Sequence, residues 1–286
     1  MRKTLFSGIA ACLLATAATA AEQSPSVIWT VGQADRSASE FALAPDRFRD
    51  FLANDFGYED KYFLVGHSVP AADFPYVLPG PADTWGGTWP TSGWRTHQVN
   101  ILFGLKEIPS DGTCTLVVDL LDYAKNFLPL VKVSVNTQDA KFQLDAPGLC
   151  VADQRKPNQM EKIVDTLSIT GNLAKATPRR LEIPIRPGVL KAGGNEVTIT
   201  VLEGSWILFD RVSLEGPAGT NVEQPQQLFI RNIEAAPYEL ADGKRRVQPL
   251  LVDLEWLEGA PALSVELDDK EILNQRIETG RYQLEA

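Results

Sequence analysis

The chain has 286 residues, a formal net charge of −10 at pH 7 and 44% hydrophobic residues. This length and composition fit a globular protein with one large domain or two smaller ones. An acidic chain repels nucleic acid phosphates, anionic membrane surfaces and highly charged polyuronates. We therefore expect neither nucleic acid nor membrane as a partner, whereas neutral or mixed sugars remain compatible with this charge.

The first twenty residues have the three parts of a secretory signal peptide. Arg2 and Lys3 are basic, Leu5 to Leu14 is apolar but too short to span a bilayer, and Ala18-Thr19-Ala20 fits the cleavage pattern. A lipoprotein cleavage site ending at Cys12 is the alternative interpretation. We therefore expect a periplasmic or secreted mature chain that begins just after residue 20.

Two cysteines, Cys114 and Cys150, remain in that mature chain. In an oxidising compartment they are a candidate disulfide, worth about 3–4 kcal/mol in the chain-entropy model. Two separate buried thiols are the alternative. With no Cys-x-x-Cys pair and no histidine cluster, a zinc or redox site has no support. No cofactor is expected, apart from a structural calcium ion that Asp119 and Asp122 could hold.

Five stretches after residue 95 have the β-branched or alternating pattern of strands. They are residues 97–103, 114–121, 130–135, 181–185 and 196–202. Turn-forming residues separate them without intervening amphipathic helices, which predicts an antiparallel β-sandwich and not a parallel α/β fold. One short helix is predicted at Pro45 to Asn54, where Phe48, Phe51 and Leu52 share a face.

Residues 217–226 have the proline, glycine and polar composition of a linker. About four strands are predicted beyond them. So small a sheet has exposed edges and little core, so it must pack against the first domain, pair with another chain or belong to an incomplete domain. The last two interpretations are favoured. The predicted domains are a signal peptide at 1–20, a jelly roll at 21–216, a linker at 217–226 and a small or truncated β segment at 227–286.

The segment from residue 83 to residue 97 holds half of the chain's six tryptophans, among glycines and hydroxyl-bearing residues. A sugar ring has an apolar C–H face that stacks on an indole, and hydroxyls that need paired donors and acceptors. The segment supplies both, although one or two of the tryptophans are expected to fill the core. The predicted carbohydrate-binding residues are Asp83, Trp85, Trp89, Trp94, Arg95 and His97.

Enzyme signatures are weak in this sequence. Gly66-His67-Ser68 lacks the Gly-x-Ser-x-Gly pattern of a nucleophile elbow. Paired carboxylates are abundant in any acidic chain and therefore indicate no glycosidase site by themselves. No catalytic residue is predicted.

The stretch from Ile28 to Phe41 resembles the opening of the C-terminal domain of rhamnogalacturonan lyases of the polysaccharide lyase family 4 type. In that family a W-x-I-G-x-x-D-R-T-A-x-x-F run leads into a jelly roll. Residues Trp94 to Phe103 and Gly194 to Asp210 fit the same domain, so the resemblance covers about residues 27–216.

This resemblance implies an all-β, galactose-binding-like jelly-roll sandwich with a carbohydrate-binding role, followed by a small or incomplete β-sandwich segment. The catalytic lysine and histidine of those lyases belong to a separate domain without a counterpart in this sequence, so neither is carried over. The turn at Asp35-Arg36 is expected to be structural, with the aspartate holding backbone amides beside the first strand.

The leading interpretation is therefore a non-catalytic module that binds a polysaccharide or oligosaccharide, alone or beside a glycan-degrading enzyme. One alternative is a polysaccharide lyase or glycoside hydrolase component, including an N-terminal fragment of an α-mannosidase-like enzyme, because the tail looks similar to accessory β-domains of large glycosidases. The other is an assembly protein whose C-terminal β segment binds a partner by strand addition.

Overall fold

The protein is described by a computed structural model. It covers residues 26–54, 56, 61–83, 85, 97–108, 113–145, 167–242, 245–259, 262–276 and 278–285. Within these residues the chain forms eighteen strands, one α-helical turn at Pro70–Asp73 and several short 3-10 turns. None of the helices in these ranges is long and apolar enough to cross a membrane.

Two sheets form a sandwich around one core. The first sheet has the order β1 (Ser26–Gly32), β10 (Ile207–Gly216), β5 (Cys114–Tyr123) and β8 (Arg179–Ile185), with β3 (Val77–Leu78) paired to β10. The second has the order β11 (Val222–Glu223), β4 (Gln98–Leu105), β9 (Gly193–Glu203), β6 (Leu130–Val135) and β7 (Gln138–Gln143), with β2 (Tyr62–Leu64) parallel to β4. The predicted all-β sandwich is confirmed, and each of the five predicted strands occurs to within three residues at either end.

Alternation of apolar and polar residues explains why these strands form a sandwich. In β9, Val197, Ile199 and Val201 are buried and the residues between them are half-exposed. Burial of each such side chain stabilises the fold by about 1.5–3 kcal/mol. The two sheets also meet through aromatic rings, because Trp29 of β1 packs on Phe103 of β4 with 5.2 Å between ring centroids.

The chain crosses from one sheet to the other between β9 and β10. The bend at residues 203–205 therefore joins the two sheets and does not close a hairpin. Gly204 has a φ of 81°, and a Cβ atom at this position would lie 2.3 Å from the Leu128 carbonyl oxygen. Glycine thus permits both the turn and its close contact with the loop before β6.

The α-helix predicted at Pro45 to Asn54 is wrong in type. The chain forms two 3-10 turns there, Phe48–Asp50 and Leu52–Asn54. Asp46, within the predicted range, has a φ of 70°, a left-handed conformation that interrupts a regular α-helix. Phe48 and Phe51 are nevertheless buried in the sandwich core.

The turn at Asp35-Arg36 has the structural role predicted for it. Asp35 Oδ1 accepts a hydrogen bond from the Ser37 amide at 2.9 Å. Arg36 has a φ of 65°, and its amide donates to Asp210 Oδ1 at 3.0 Å. Two aspartates therefore hold the turn against β10, beside the end of β1.

The tail forms seven strands, more than the four predicted. β12 (Leu228–Ala235), β15 (Leu250–Trp256) and β18 (Gly280–Glu285) make a three-stranded antiparallel sheet, while β13 (Leu240–Asp242) with β14 (Arg245–Val247) and β16 (Ala262–Leu267) with β17 (Lys270–Arg276) form hairpins. The three-stranded sheet has a small core of its own around Val252, Leu254 and Trp256.

The tail sheet packs against the sandwich, the arrangement that the sequence interpretation did not favour. Phe229 of β12 is buried against Leu64 and Leu102. Gly194 of β9 touches the β12 backbone, since a Cβ atom there would lie 2.2 Å from the Ile230 carbonyl oxygen. Within the predicted linker, β11 pairs with β4. The chain between sandwich and tail is therefore partly fixed to the sandwich.

A buried ion pair lies in the same contact region. The side chains of Arg231 in β12 and Glu255 in β15 are in direct contact and are only 7% and 1% exposed. The ring of Tyr62, from β2 of the sandwich, lies 5.1 Å from the Arg231 guanidinium. Burial raises the pKa of Glu255, and Arg231 opposes that rise. The charge of Glu255 therefore depends on Arg231 for compensation.

Candidate functional site

The described residues of the predicted binding segment, Asp83, Trp85 and His97, lie at one end of the sandwich. Gln98 at the start of β4 pairs with Thr200, and Leu130 at the start of β6 pairs with Glu203 at the end of β9. In the other sheet, the end of β5 pairs with the start of β10. The described residues 79–83, 85 and 97 therefore meet residues 124–129 and 204–206 at this end, which we call the loop end. The contact of β12 with Gly194 lies at the opposite end of β9.

Asp83 holds the start of the tryptophan-rich segment in place through hydrogen bonds. Its side chain is buried, with Oδ2 accepting from the Gly80 amide at 2.8 Å and Oδ1 accepting from the Ser205 hydroxyl. The Ala82 amide also donates to the Gly204 carbonyl at 2.8 Å. These bonds attach residues 80–83 to the crossing between the two sheets, so Asp83 positions the segment.

Burial also changes the acidity of this carboxyl group. It raises the pKa of Asp83 to about 6, against the hydrogen bonds from Ser205 and Gly80, which lower it. The sequence interpretation missed Ser205 as the partner of Asp83. The available signal was its place in a Gly-Ser bend, which does not say which distant loop the hydroxyl will meet.

Trp85 is anchored to the sandwich core. Its ring is half-buried and lies edge-on to Phe48, with 5.0 Å between centroids and an interplanar angle of 68°. Edge-to-face aromatic pairs contribute about 0.5–1.5 kcal/mol beyond their buried area. Trp85 thus has the partial core role expected of one or two of the tryptophans, while part of its side chain remains accessible.

His97 ends the segment at the start of β4. Its carbonyl accepts from the Val201 amide at 3.0 Å, and its side chain is half-buried. Burial lowers the pKa of His97, so the ring is neutral at pH 7. Its Nδ1 atom is buried and has no hydrogen-bond partner among the residues that the structure describes.

Three of the predicted binding residues, Trp89, Trp94 and Arg95, lie outside the described residues. Cys150 does too, so its pairing with Cys114 stays a prediction. Cys114 itself is buried, and a Cβ atom at Gly216 would lie 2.8 Å from its sulfur. This cysteine is therefore tightly packed at the start of β5.

The two aspartates considered for calcium are engaged with cationic side chains. Asp119 binds the guanidinium groups of Arg180 and Arg211, at 2.7 Å and 3.0 Å. Asp122 is fully buried and accepts from Lys125 and from the Ser168 hydroxyl. These contacts occupy carboxylate oxygens that a calcium ion would need. In the described ranges no group of three metal-ligating side chains could hold a metal ion.

A concave surface, of about 480 Å³, lies between the sandwich and the tail sheet. Its polar side chains largely bind one another. Asn136 donates to Asn195 at 2.8 Å, and Lys191 donates to Asn232 at 3.1 Å. We therefore interpret this cleft as part of the contact between sandwich and tail.

The fold is that of a carbohydrate-binding-like β-sandwich. Residues 27–214 match the family model described as CBM-like, polysaccharide lyase family 4, domain III. The chain belongs to this family, and the resemblance noted in its sequence is confirmed. A carbohydrate-related function follows from this membership.

Other comparisons add little. A search of curated proteins finds no match. A solved structure of a family GH115 4-O-methyl-α-glucuronidase, BtGH115A, described as having specificity for decorated arabinogalactans, matches with a TM-score of 0.24 and 18% identity. The match covers 41% of this chain and 13% of that enzyme, and with so low a TM-score it carries no argument.

Proposed function

We propose that this protein is an exported, non-catalytic carbohydrate-binding module that binds a neutral or mixed polysaccharide or oligosaccharide at the loop end. The observation that carries the proposal is the family match across the whole sandwich, residues 27–214. The signal-peptide pattern of the first twenty residues supports export. The acidic charge supports neither nucleic acid nor an anionic membrane as partner.

The loop end supports a binding role because its base is rigid. Asp83 is held by Ser205 and Gly80, and Trp85 rests on Phe48. Carbohydrate affinity depends on aromatic rings held in place before the ligand arrives, since ordering a side chain on binding costs free energy. In this proposal Trp85 contributes its accessible edge, and His97 closes the segment as a neutral ring.

The residues between these two anchors supply the direct contacts in the proposal. Trp89 and Trp94 stack on the apolar face of a sugar ring, and Arg95 donates to its hydroxyl oxygens. Asp83 acts as a positioning residue and does not itself touch the sugar.

Calorimetry of the mature chain against pectic, arabinan and mannan oligosaccharides tests the proposal. We expect binding to at least one of them, and a loss of about tenfold or more in affinity for Trp89→Ala, Trp94→Ala or Arg95→Ala. Tyr238→Ala and Arg246→Ala, which change exposed residues of the tail, are the matched controls and should bind as the unchanged protein does.

Absence of binding to every member of the panel would refute the binding role. Release of products from rhamnogalacturonan or mannosides by the purified chain would refute the non-catalytic part. The two results are independent, because a catalytic chain would still bind its substrate.

A further inference from the structure

An exposed arginine lies close to Trp85, the tryptophan that is anchored to the core. The Arg49 guanidinium carbon is 4.4 Å from the centroid of the Phe48 ring, and the Trp85 ring meets the same Phe48 ring with 5.0 Å between centroids. The guanidinium and the indole are therefore separated by no more than these two distances together. One sugar ring with its substituents spans such a separation, so a single sugar unit can contact both groups.

The support beneath Arg49 is rigid. Phe48 is buried in the sandwich core and begins the 3-10 turn Phe48–Asp50. The Asp50 amide donates to the Arg47 carbonyl at 2.9 Å, and the Phe51 amide donates to the Phe48 carbonyl at 3.2 Å. A guanidinium stacked on a fixed ring has less freedom to lose when a ligand binds. Arg49 is thus held in place before the sugar arrives.

The charge of Arg49 is available to a ligand. Arg47, one residue before the same turn, binds Asp50 through Nε at 2.9 Å and through Nη2 at 2.8 Å. Arg49 is exposed and forms no ion pair with any of the described residues. Its planar group of N–H donors matches the oxygens of a carboxylate or a sulfate. An exposed arginine is common on protein surfaces, and it is the contact with the ring that supports Trp85 that distinguishes this one.

We propose that Arg49 determines specificity at the loop end, where it binds an anionic substituent, a carboxylate or a sulfate, on the sugar unit that contacts Trp85. The inference rests on the proposed carbohydrate-binding function and deepens it, because it names the class of sugar unit. It also agrees with the charge of the chain, −10. A densely charged polyanion is repelled by the whole protein, whereas a mixed glycan places one isolated anionic unit on Arg49.

The test uses calorimetry with two matched pairs of ligands. One pair is a pectic oligosaccharide as the free acid and as its methyl ester, and the other is a sulfated galactan oligosaccharide and its desulfated form. We expect Arg49→Ala to weaken binding of the charged member of one pair by about threefold to tenfold and to leave its neutral member unchanged. Arg49→Lys, which keeps the charge but lacks the planar fork, should lose less.

Arg47→Ala is the matched control. It removes an exposed charge from the same region without removing the contact with Phe48, and it should bind both members of each pair as the unchanged protein does. Thermal unfolding of Arg49→Ala should stay close to that of the unchanged protein, since the Arg49 side chain is exposed.

The results separate this inference from the proposed function. A charge-dependent loss in the pectic pair identifies a carboxylate, and one in the galactan pair identifies a sulfate. An equal loss for charged and neutral members, no loss in either pair, or a loss shared by Arg47→Ala would overturn the role of Arg49 while leaving the proposed function in place. Failure of the unchanged protein to bind any sugar would reject the proposed function, and this inference with it.

Discussion

The buried ion pair between Arg231 and Glu255 makes a sharp prediction about how the tail is held. Arg231→Ala leaves the Glu255 carboxylate, which is 1% exposed, without its counter-charge and beside the Tyr62 ring. Removing one partner of a buried ion pair costs about 3–5 kcal/mol, because the remaining charge stays desolvated. We expect a loss of this size in the free energy of unfolding.

Urea unfolding followed by tryptophan fluorescence measures the loss, with Trp256 reporting on the tail core. Arg246→Ala is the matched control, because Arg246 forms an ion pair with Glu239 in which both side chains are exposed. Such exposed pairs contribute about 0–1 kcal/mol. Combining Arg231→Met with Glu255→Gln removes both charges and should cost less than the sum of the two single changes.

The effect of pH gives a second check on the same pair. Burial holds the pKa of Glu255 above its ordinary value, and loss of Arg231 raises it further. A carboxyl group whose pKa is higher in the folded state than in the unfolded state binds its proton more tightly in the folded state. The free energy of unfolding therefore increases as the pH falls. The cost of Arg231→Ala should therefore be smaller at about pH 5 than at about pH 7.5. A cost equal to that of Arg246→Ala at both pH values would refute this account of the tail contact.

Three further predictions concern the glycine contact, a buried carboxylate and the base of the loop end. Gly194→Ala should cost about 1–3 kcal/mol in thermal unfolding, because the added Cβ would lie 2.2 Å from the Ile230 carbonyl oxygen. Asp122→Ala should cost about 3 kcal/mol or more in urea unfolding, because it removes a fully buried carboxylate bound by Lys125. The Asp83 carboxyl should titrate at about pH 6 in carbon-13 NMR, so the stability it contributes falls as the pH rises through 6.

Each of these three has its own control. Gly219→Ala adds a methyl group with no atom within 4 Å, so its cost of about 1–2 kcal/mol reports only the strain of its φ of 92°, a strain that Gly194→Ala does not share, and the pair separates backbone strain from steric clash. Asp50→Ala removes an exposed partner of Arg47 and should cost far less than Asp122→Ala. Ser205→Ala should raise the pKa of Asp83 further, because the hydroxyl now lowers it, and a titration near pH 4 would contradict this account of Asp83.

Local pattern was sufficient to predict the sandwich. The alternation in β6 and β9 marks which residues face the core, and the two-residue period of a strand converts this pattern directly into structure. The type of helix at Phe48 could not be predicted in this way, because Asp46 adopts a left-handed conformation there and a single aspartate, though enriched in that conformation, is also common within helices. The contact between Phe229 and Leu102 was also out of reach, because it joins residues far apart in sequence.

The same limit applies to the loop end. Composition indicated a sugar-binding segment and included Asp83 among its contacts, but the partner that buries Asp83 is Ser205, 122 residues away. The sequence does not distinguish a carboxylate on an exposed loop from one that is buried by hydrogen bonds to a distant loop.

The positions of the loop end and the tail bear on how the proposed sugar site relates to the rest of the chain. Strands determine the family and the core, whereas loops determine what is bound. At one end of the sandwich, Ser205 hydrogen-bonds both to Asp83 and to the loop at residues 124–129. Gly194, with β12 packed on its backbone, lies at the opposite end of β9. The Gly194 contact is therefore separated from the proposed sugar surface by the length of that strand, and the contacts of Arg231 and Phe229 with β2 lie between the two ends, beside residues 100–102 of β4. Changes that loosen the tail, such as Arg231→Ala, should accordingly leave sugar affinity unaltered while they lower stability, and a parallel loss of affinity would show that the two ends are coupled.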